Sequence, residues 1–468
     1  MDTLSEDQIE VFNAYKEKKN VFITGPGGCG KSYLIKHIVN DAKNNNININ
    51  ITALTGCAAI LLDCGAKTLH SWAGIGLAKS DDHSIITRIS LNKWKKMNWK
   101  KCDLLIIDEV SMMSKRLFNL LDAIGKNIRR SPLPFGGIQV IFSGDFYQLP
   151  PVGSKNEDPD SSKFCFESEL WDETFDYQII LDKVFRQKDE TYIDILKEVR
   201  QGKLYRNSYN LLKKCVNKPI DTKSIIKPIT IMPIKRSVDS INLKSMELID
   251  SPEFKYKYIA EYIDPSDISG NNSSDKTAFD VMMKSYSYTK NKKKTITREK
   301  LENEEKFIIN NSLFEKELIL KKGAQVMCIC NLDMDLGICN GSTGIIIDFK
   351  IDGPFHSPIV KFNNGVIKPI AYHSWLSDNI DGFAIKQIPL ILAWAVTIHK
   401  SQGATLDCAE VDIGSSVFAP GQTYVALSRV KSLDGLYLKS FNPNKIRTDK
   451  KVIEFYERFY GEDSDNES

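Results

Sequence analysis

Apolar positions along this chain fall into two alternating patterns. Near-continuous apolar runs at Val21–Thr24, Ile49–Leu54, Cys102–Ile107, Val140–Ser143 and Gln178–Leu181 have the length and composition of strands buried on both faces. Between them, residues 4–19, Tyr33–Val39 and Lys115–Arg129 read as amphipathic helices. Ser5 is placed to cap the first, with Gln8 three residues on as its capping-box partner. Alternation with short connections to about residue 183 predicts one doubly wound α/β domain. Residues 184–245 add helix, the strand Ile229–Met232 and another helix. Residues 265–312, rich in lysine and asparagine, predict a mobile loop. From Gly323 the pattern becomes β, with runs at Gln325–Cys328, Gly344–Phe349 and Pro358–Phe362 separated by turn residues, which predicts a small barrel. Helix and strand alternate again from Ile388, and residues 461–468 form an acidic tail.

Composition changes this picture little. With 468 residues, 42% hydrophobic and 26% charged, the chain can bury large cores in several domains. A net charge of only +3 means that any groove for nucleic acid must be a local basic feature. One such feature is residues 77–101, where Lys93, Trp94, Lys95, Lys96, Trp99, Lys100 and Lys101 mix basic and aromatic side chains. It reads as a basic helix with Trp99 packed inward. Ten scattered cysteines form no CxxC pair, and Cys328, Cys330 and Cys339 lack the spacing of common zinc sites, so reduced thiols are expected. No apolar run has membrane-spanning length, and the acidic start Met1–Asp7 has no signal character. The expectation is an intracellular protein, whether of nucleus, mitochondrion or viral replication site, and no membrane partner.

Chemistry concentrates at the ends of the apolar runs. Val21–Thr24 is followed by Gly25-Pro26-Gly27-Gly28-Cys29-Gly30-Lys31-Ser32 and then a helix, the context that a Walker A loop needs. Glycines let successive N–H groups wrap a phosphate, the helix N-terminus adds its dipole, Lys31 reaches the β- and γ-phosphates and Ser32 ligates Mg²⁺. Leu104–Ile107 ends in Asp108 and Glu109, one suited to hold Mg²⁺ through water, the other to deprotonate the attacking water. The separation from Lys31 suggests neighbouring strands of one sheet. Gln148, in the run Phe142–Pro151, can sense a γ-phosphate, and Arg186 and Arg429 can neutralise charge in phosphoryl transfer.

Eight stretches in chain order carry a resemblance: Gly25–Ser32, Thr52–Ala59, Leu69–Gly76, Leu104–Met112, Phe135–Val152, Leu181–Gln187, Leu392–Leu406 and Gly421–Val430. Together they resemble the superfamily 1B helicases of the PIF (petite integration frequency) family. The resemblance implies two RecA-like P-loop NTPase domains, residues 1–183 and residues 184–250 with 376–450. An accessory domain at 251–375, with its small β-barrel at about 323–375, is inserted in the second, and 451–468 add a C-terminal helix and tail. It implies that Gln8 recognises adenine, that Arg186 and Arg429 reach ATP from the second domain, and that Gly403 lies in a motif facing ATP and DNA. Thr55, His70, Thr397 and His399 fall in motifs that line a single-strand track. The implied function is an ATP-dependent 5′→3′ DNA helicase acting, as a monomer, on single-stranded and on forked or tailed duplex DNA in replication, repair, recombination or telomere maintenance. The duplex-splitting wedge is placed at 77–99. A single-strand translocase with little unwinding is the alternative.

Overall fold

The computed structural model describes residues 4–62, 64–76, 78, 80–153, 158–219, 227–262, 297–312, 314–333, 335–352, 355–377, 380 and 382–461. They form two compact units, Met1–Ile241 with Trp394–Ser468, and Asn242–Ala393.

The first unit is built on strands β1 (Val21–Thr24), β2 (Ile49–Ala53), β3 (Lys67–Thr68), β4 (Leu104–Asp108), β5 (Gln139–Ser143) and β6 (Tyr177–Ile180). They pair in parallel in the order β3-β2-β4-β5-β1-β6. Side chains alternate across the sheet. Phe22, Leu105, Ile107, Val140 and Phe142 join the core beneath helix Lys115–Arg129. Val21, Ile23, Leu104, Ile106 and Ile141 join the core beneath helices Glu6–Lys16 and Lys31–Asn44. Burial on both faces explains why these strands read as unbroken apolar runs. The strand order corrects one expectation: β5 lies between β1 and β4, so the glycine loop and the two acids do not leave neighbouring strands.

A second parallel sheet in the same unit has the order Ala395–Thr397, Ile229–Met232, Ala409–Ile413, Leu436–Phe441. Helix Lys450–Gly461, which follows it in sequence, returns to the first sheet. Its Val452, Phe455 and Tyr456 enter the core of Phe22, Phe146 and Trp171. Phe455 stands 5.3 Å from Phe146 and 4.3 Å from Phe166, ring to ring. Burying one such phenyl ring contributes about 2–3 kcal/mol.

The second unit holds a five-stranded antiparallel sheet in the order Ile367–Pro369, Phe355–Phe362, Thr343–Asp352, Gln325–Cys328, Leu390–Leu392. A bulge interrupts the register between Ile346 and Asp348. Strands His373–Leu376, Phe383–Gln387 and Ile259–Tyr262 form a three-stranded sheet. Because Phe383–Gln387 and Leu390–Leu392 pair here, the chain returns to the first unit at Trp394, later than the expected residue 376.

Two further differences have physical causes. Within the expected loop 265–312, Arg298–Asn311 is a helix, with an Arg298–Glu302 pair one turn apart at 3.0 Å and with Ile308 and Ile309 buried. The rest of that loop, 265–296, lies outside the described residues, as does the acidic tail from 462. The basic segment 77–101 holds two helices, Asp82–Leu91 and Lys93–Lys101, because the Asn92 side chain between them accepts from the N–H groups of Trp94 and Lys95 and restarts the helix. Trp99 is buried against Trp72 as expected, while Trp94 is 74% exposed.

Candidate functional site

Parallel pairing collects the carboxyl ends of β1 to β6 on one edge, and the site is assembled there. Gly25, Gly28 and Gly30 have φ of 143°, 89° and 88°. At Gly28 a Cβ would stand 2.5 Å from the Cβ of Arg186, so loop and arginine approach only because no side chain separates them. Helix Lys31–Asn44 starts directly from Gly30, Ser32 is exposed in its first turn, and Cys29 is buried under the loop. Lys31 Nζ donates to the carbonyls of Gly25 at 2.7 Å and Pro26 at 3.1 Å. The Gly27 N–H donates to the Tyr424 hydroxyl at 2.8 Å. Gln8 lies against the other end of the loop. Its Oε1 accepts from the Ser5 N–H at 3.0 Å, while its buried Nε2 has no partner. That Nε2 would lie 2.6 Å from a Cβ on Gly30.

The acids stand two strands away. Asp108 ends β4, and burial raises its carboxyl above the ordinary range, an effect that the Lys31 charge partly offsets. Glu109 has the left-handed backbone (φ 57°) that β-branched or bulky residues avoid. Burial and the neighbouring Asp108 push it up to about 7, against the pull of Lys31, Arg429 and a hydrogen bond from Gln402. Gln402 Nε2 donates to Glu109 Oε2 at 3.1 Å, across 293 residues of sequence.

Two arginines face the loop from beyond β6. Arg186 donates to the Ser428 carbonyl at 3.2 Å. Arg429, 2% exposed, donates to the Val425 carbonyl and to the Ser428 hydroxyl at 2.9 and 2.7 Å. Its guanidinium lies 3.6 Å from where a Cβ of Gly27 would stand. Burial and the adjacent Arg186 pull Arg429 down to about 9. Among the described residues neither arginine has a salt-bridge partner, and two cations so placed call for a polyanion. Gln148 is buried, and the Gly421 backbone sits so close that a Cβ there would be 2.3 Å from the Gln148 carbonyl. Beside this contact Arg200 donates to both oxygens of the fully buried Asp145, at 2.9 to 3.3 Å, and lies 4.3 Å from the Tyr147 ring.

Thr55 and His70 follow the carboxyl ends of β2 and β3, the edge of the sheet farthest from the glycine loop. Thr397 ends the edge strand of the second sheet, with its hydroxyl accepting from the Lys400 N–H at 3.2 Å, and His399 beside it is exposed. Gly403 adopts a left-handed φ of 79° next to Gln402. The structure therefore brings Gln8, the glycine loop, Lys31, Asp108, Glu109, Arg186 and Arg429 together and leaves the four threonines and histidines on separate strand ends. Sequence reasoning passed over Gln402, Tyr424 and Arg200. The available signal was position: Gln402 sits between Ser401 and Gly403, and Tyr424 lies five residues before Arg429. Burial pushes the Cys330 thiol up to about 12, and no described group of His, Cys, Asp or Glu is gathered for a metal.

A glycine loop between a central parallel strand and a helix, with a lysine on it and paired acids on the same edge, is the architecture of the P-loop nucleotide-binding proteins. The model of the PIF1-like helicases matches residues 3–209, and that of the 2B domain of DNA helicase Pif1 matches residues 306–349. The ATP-dependent DNA helicase PIF1 of Danio rerio is 36% identical over 97% of this chain, which spans 64% of that relative's length. The crystal structure of Pif1 helicase from Candida albicans superposes with a TM-score of 0.75 at 33% identity, covering 98% of this chain and 100% of that one. A Bacteroides Pif1 helicase in complex with ADP-AlF3 and single-stranded DNA superposes with a TM-score of 0.65 at 27% identity, covering 98% and 97%. The chain belongs to the PIF1-like helicase family.

Proposed function

We propose that this chain is the motor of an ATP-dependent DNA helicase that moves 5′ to 3′ along single-stranded DNA and parts the duplex ahead of it in genome maintenance. The observation that carries this reading is the composite site. Arg186, Gln402 and Arg429, all from chain beyond the first sheet, meet the glycine loop and Glu109. In this reading Lys31, Arg186 and Arg429 hold the triphosphate, and Gln148 senses its last phosphate. Glu109 takes the proton of the attacking water, for which a carboxylate held near neutrality is well matched. The unpartnered Gln8 Nε2 supplies a donor for the adenine edge. Ser32 and the buried Asp108 would hold Mg²⁺, which when bound offsets the negative charge of the phosphates.

The first sheet and the second are then the two RecA-like halves, and ATP binding and release close and open the cleft they share. Thr55, His70, Thr397 and His399 line the track of the single strand, whose contacts alternate as the cleft works. The inserted accessory module, its bulged antiparallel sheet curling toward a small barrel, is the unit Asn242–Ala393. The names of the Danio rerio and Bacteroides proteins and the ligands of the latter support this reading. The test is ATP turnover with and without single-stranded DNA, followed by unwinding of duplexes carrying a 5′ or a 3′ tail. Absence of stimulation refutes the motor. Stimulation without unwinding of the 5′-tailed duplex leaves a translocase.

A further inference from the structure

A cavity of about 800 Å³ opens at the opposite edge of the first sheet from the nucleotide loop. Its walls are the end of helix Lys93–Lys101, which leads into β4, and the end of helix Lys115–Arg129 with the segment that leads into β5. The acids and the glycine loop leave the other ends of the same strands, so the cavity lies roughly 17 Å away, the length of a five-residue strand.

Lys96, Lys100, Arg129 and Arg130 line it together with Ser90, Asn127 and Ser131, and no acid does. Arg129 is already committed. It donates to the carbonyls of Trp99, Lys100, Cys102 and Gly136 at 2.8 to 3.2 Å, and so neutralises the carbonyl-rich helix end that would repel an anion. Lys96, Lys100 and Arg130 are in no salt bridge among the described residues, although Lys96 and Lys100 stand one helical turn apart, where like charges repel. Helix Lys93–Lys101 carries five lysines and no acid. We infer that this cleft is a second nucleic-acid site, which grips the phosphate backbone of a DNA arm outside the single-strand track. An open cleft of about 800 Å³ lined by four cations is more than one phosphate fills, and favours a polymer over a free phosphate. The inference rests on the helicase reading for the identity of the polymer.

The test is the double variant Lys100→Glu/Arg130→Glu in the full chain, with anisotropy binding to a forked duplex and to a short oligo-dT across a salt titration. Fork affinity is expected to fall about tenfold or more at low salt, and the log–log salt slope to flatten by about 2, at about 0.9 per duplex phosphate contact. ATP turnover stimulated by the short oligo-dT is expected to stay at the parent level, which shows that the variant is folded and its track intact. Equal fork affinity and slope in variant and parent overturn the second site. If the parent itself shows no oligo-dT stimulation, the helicase reading fails, while the fork slope still reports on the cleft.

Discussion

Gln402→Ala isolates the contact that joins Glu109, the proposed base, to the chain beyond the first sheet. The wild-type amide donates to Glu109 Oε2 at 3.1 Å and favours the charged carboxylate. A hydrogen bond to a charged group contributes about 1.5–3 kcal/mol, and because Glu109 is half-buried the lower end applies. About 1.5 kcal/mol corresponds to about one unit of pKa. The sign follows from the role. Glu109 accepts a proton only when ionised, it already sits near 7, and losing a donor that favours the ionised form moves it higher. The kcat/KM for ATP, measured against pH at saturating oligo-dT, should therefore show an acid limb displaced upward by about one pH unit, with turnover near neutrality reduced up to about tenfold. Above that limb the two proteins should converge. A loss that persists undiminished at alkaline pH, or a limb that does not move, would refute the argument, because the amide would then be placing the nucleotide rather than tuning the base.

Lys31→Ala and Glu109→Gln should each abolish turnover and leave single-strand affinity unchanged by anisotropy; retained unwinding in either contradicts the site. Tyr424→Phe removes the hydroxyl that occupies the Gly27 N–H, so ADP should bind roughly fivefold tighter by calorimetry, at about 1 kcal/mol for the displaced hydrogen bond. Weaker binding would mean that Tyr424 serves the nucleotide directly. Arg200→Met strands the fully buried Asp145 and should cost about 3–5 kcal/mol, seen as a lower urea midpoint by tryptophan fluorescence. Adding Asp145→Asn should recover part of that loss, and no recovery would show that the arginine acts by packing on Tyr147.

What could be read before the structure was what lies close in sequence. The glycine loop, Lys31, and the Asp108–Glu109 pair each carry their chemistry within a few residues, and a strand buried on both faces announces itself by composition. Strand order does not, which is why β5 between β1 and β4 could not be placed from spacing. Gln402 and Glu109 are 293 residues apart, and a glutamine carries no mark of its partner. Helix Arg298–Asn311 was hidden because its charged and amide residues outnumber its buried isoleucines. The segment holding Trp94 and Trp99 was legible as basic and helical, but the break at Asn92, which leaves one indole outside and one inside, depends on a side-chain cap.

Helix Lys450–Gly461 also has a consequence for synthesis. Thr24 and Tyr456 share a hydrogen bond between residues 432 apart, and Phe455 closes the aromatic core over Phe22 and Trp171. At about 5–20 residues per second, the ribosome takes roughly 20–90 s to deliver that helix after β1 has been made. Once β6 has been made, the first sheet has its strands but an open aromatic face for the rest of this interval. Nascent chains stalled before residue 450 would thus carry the glycine loop and both acids on an unfinished core, and would present that face to chaperones and proteases. The core of the first sheet stays incomplete until a helix more than 400 residues downstream of β1 has been translated.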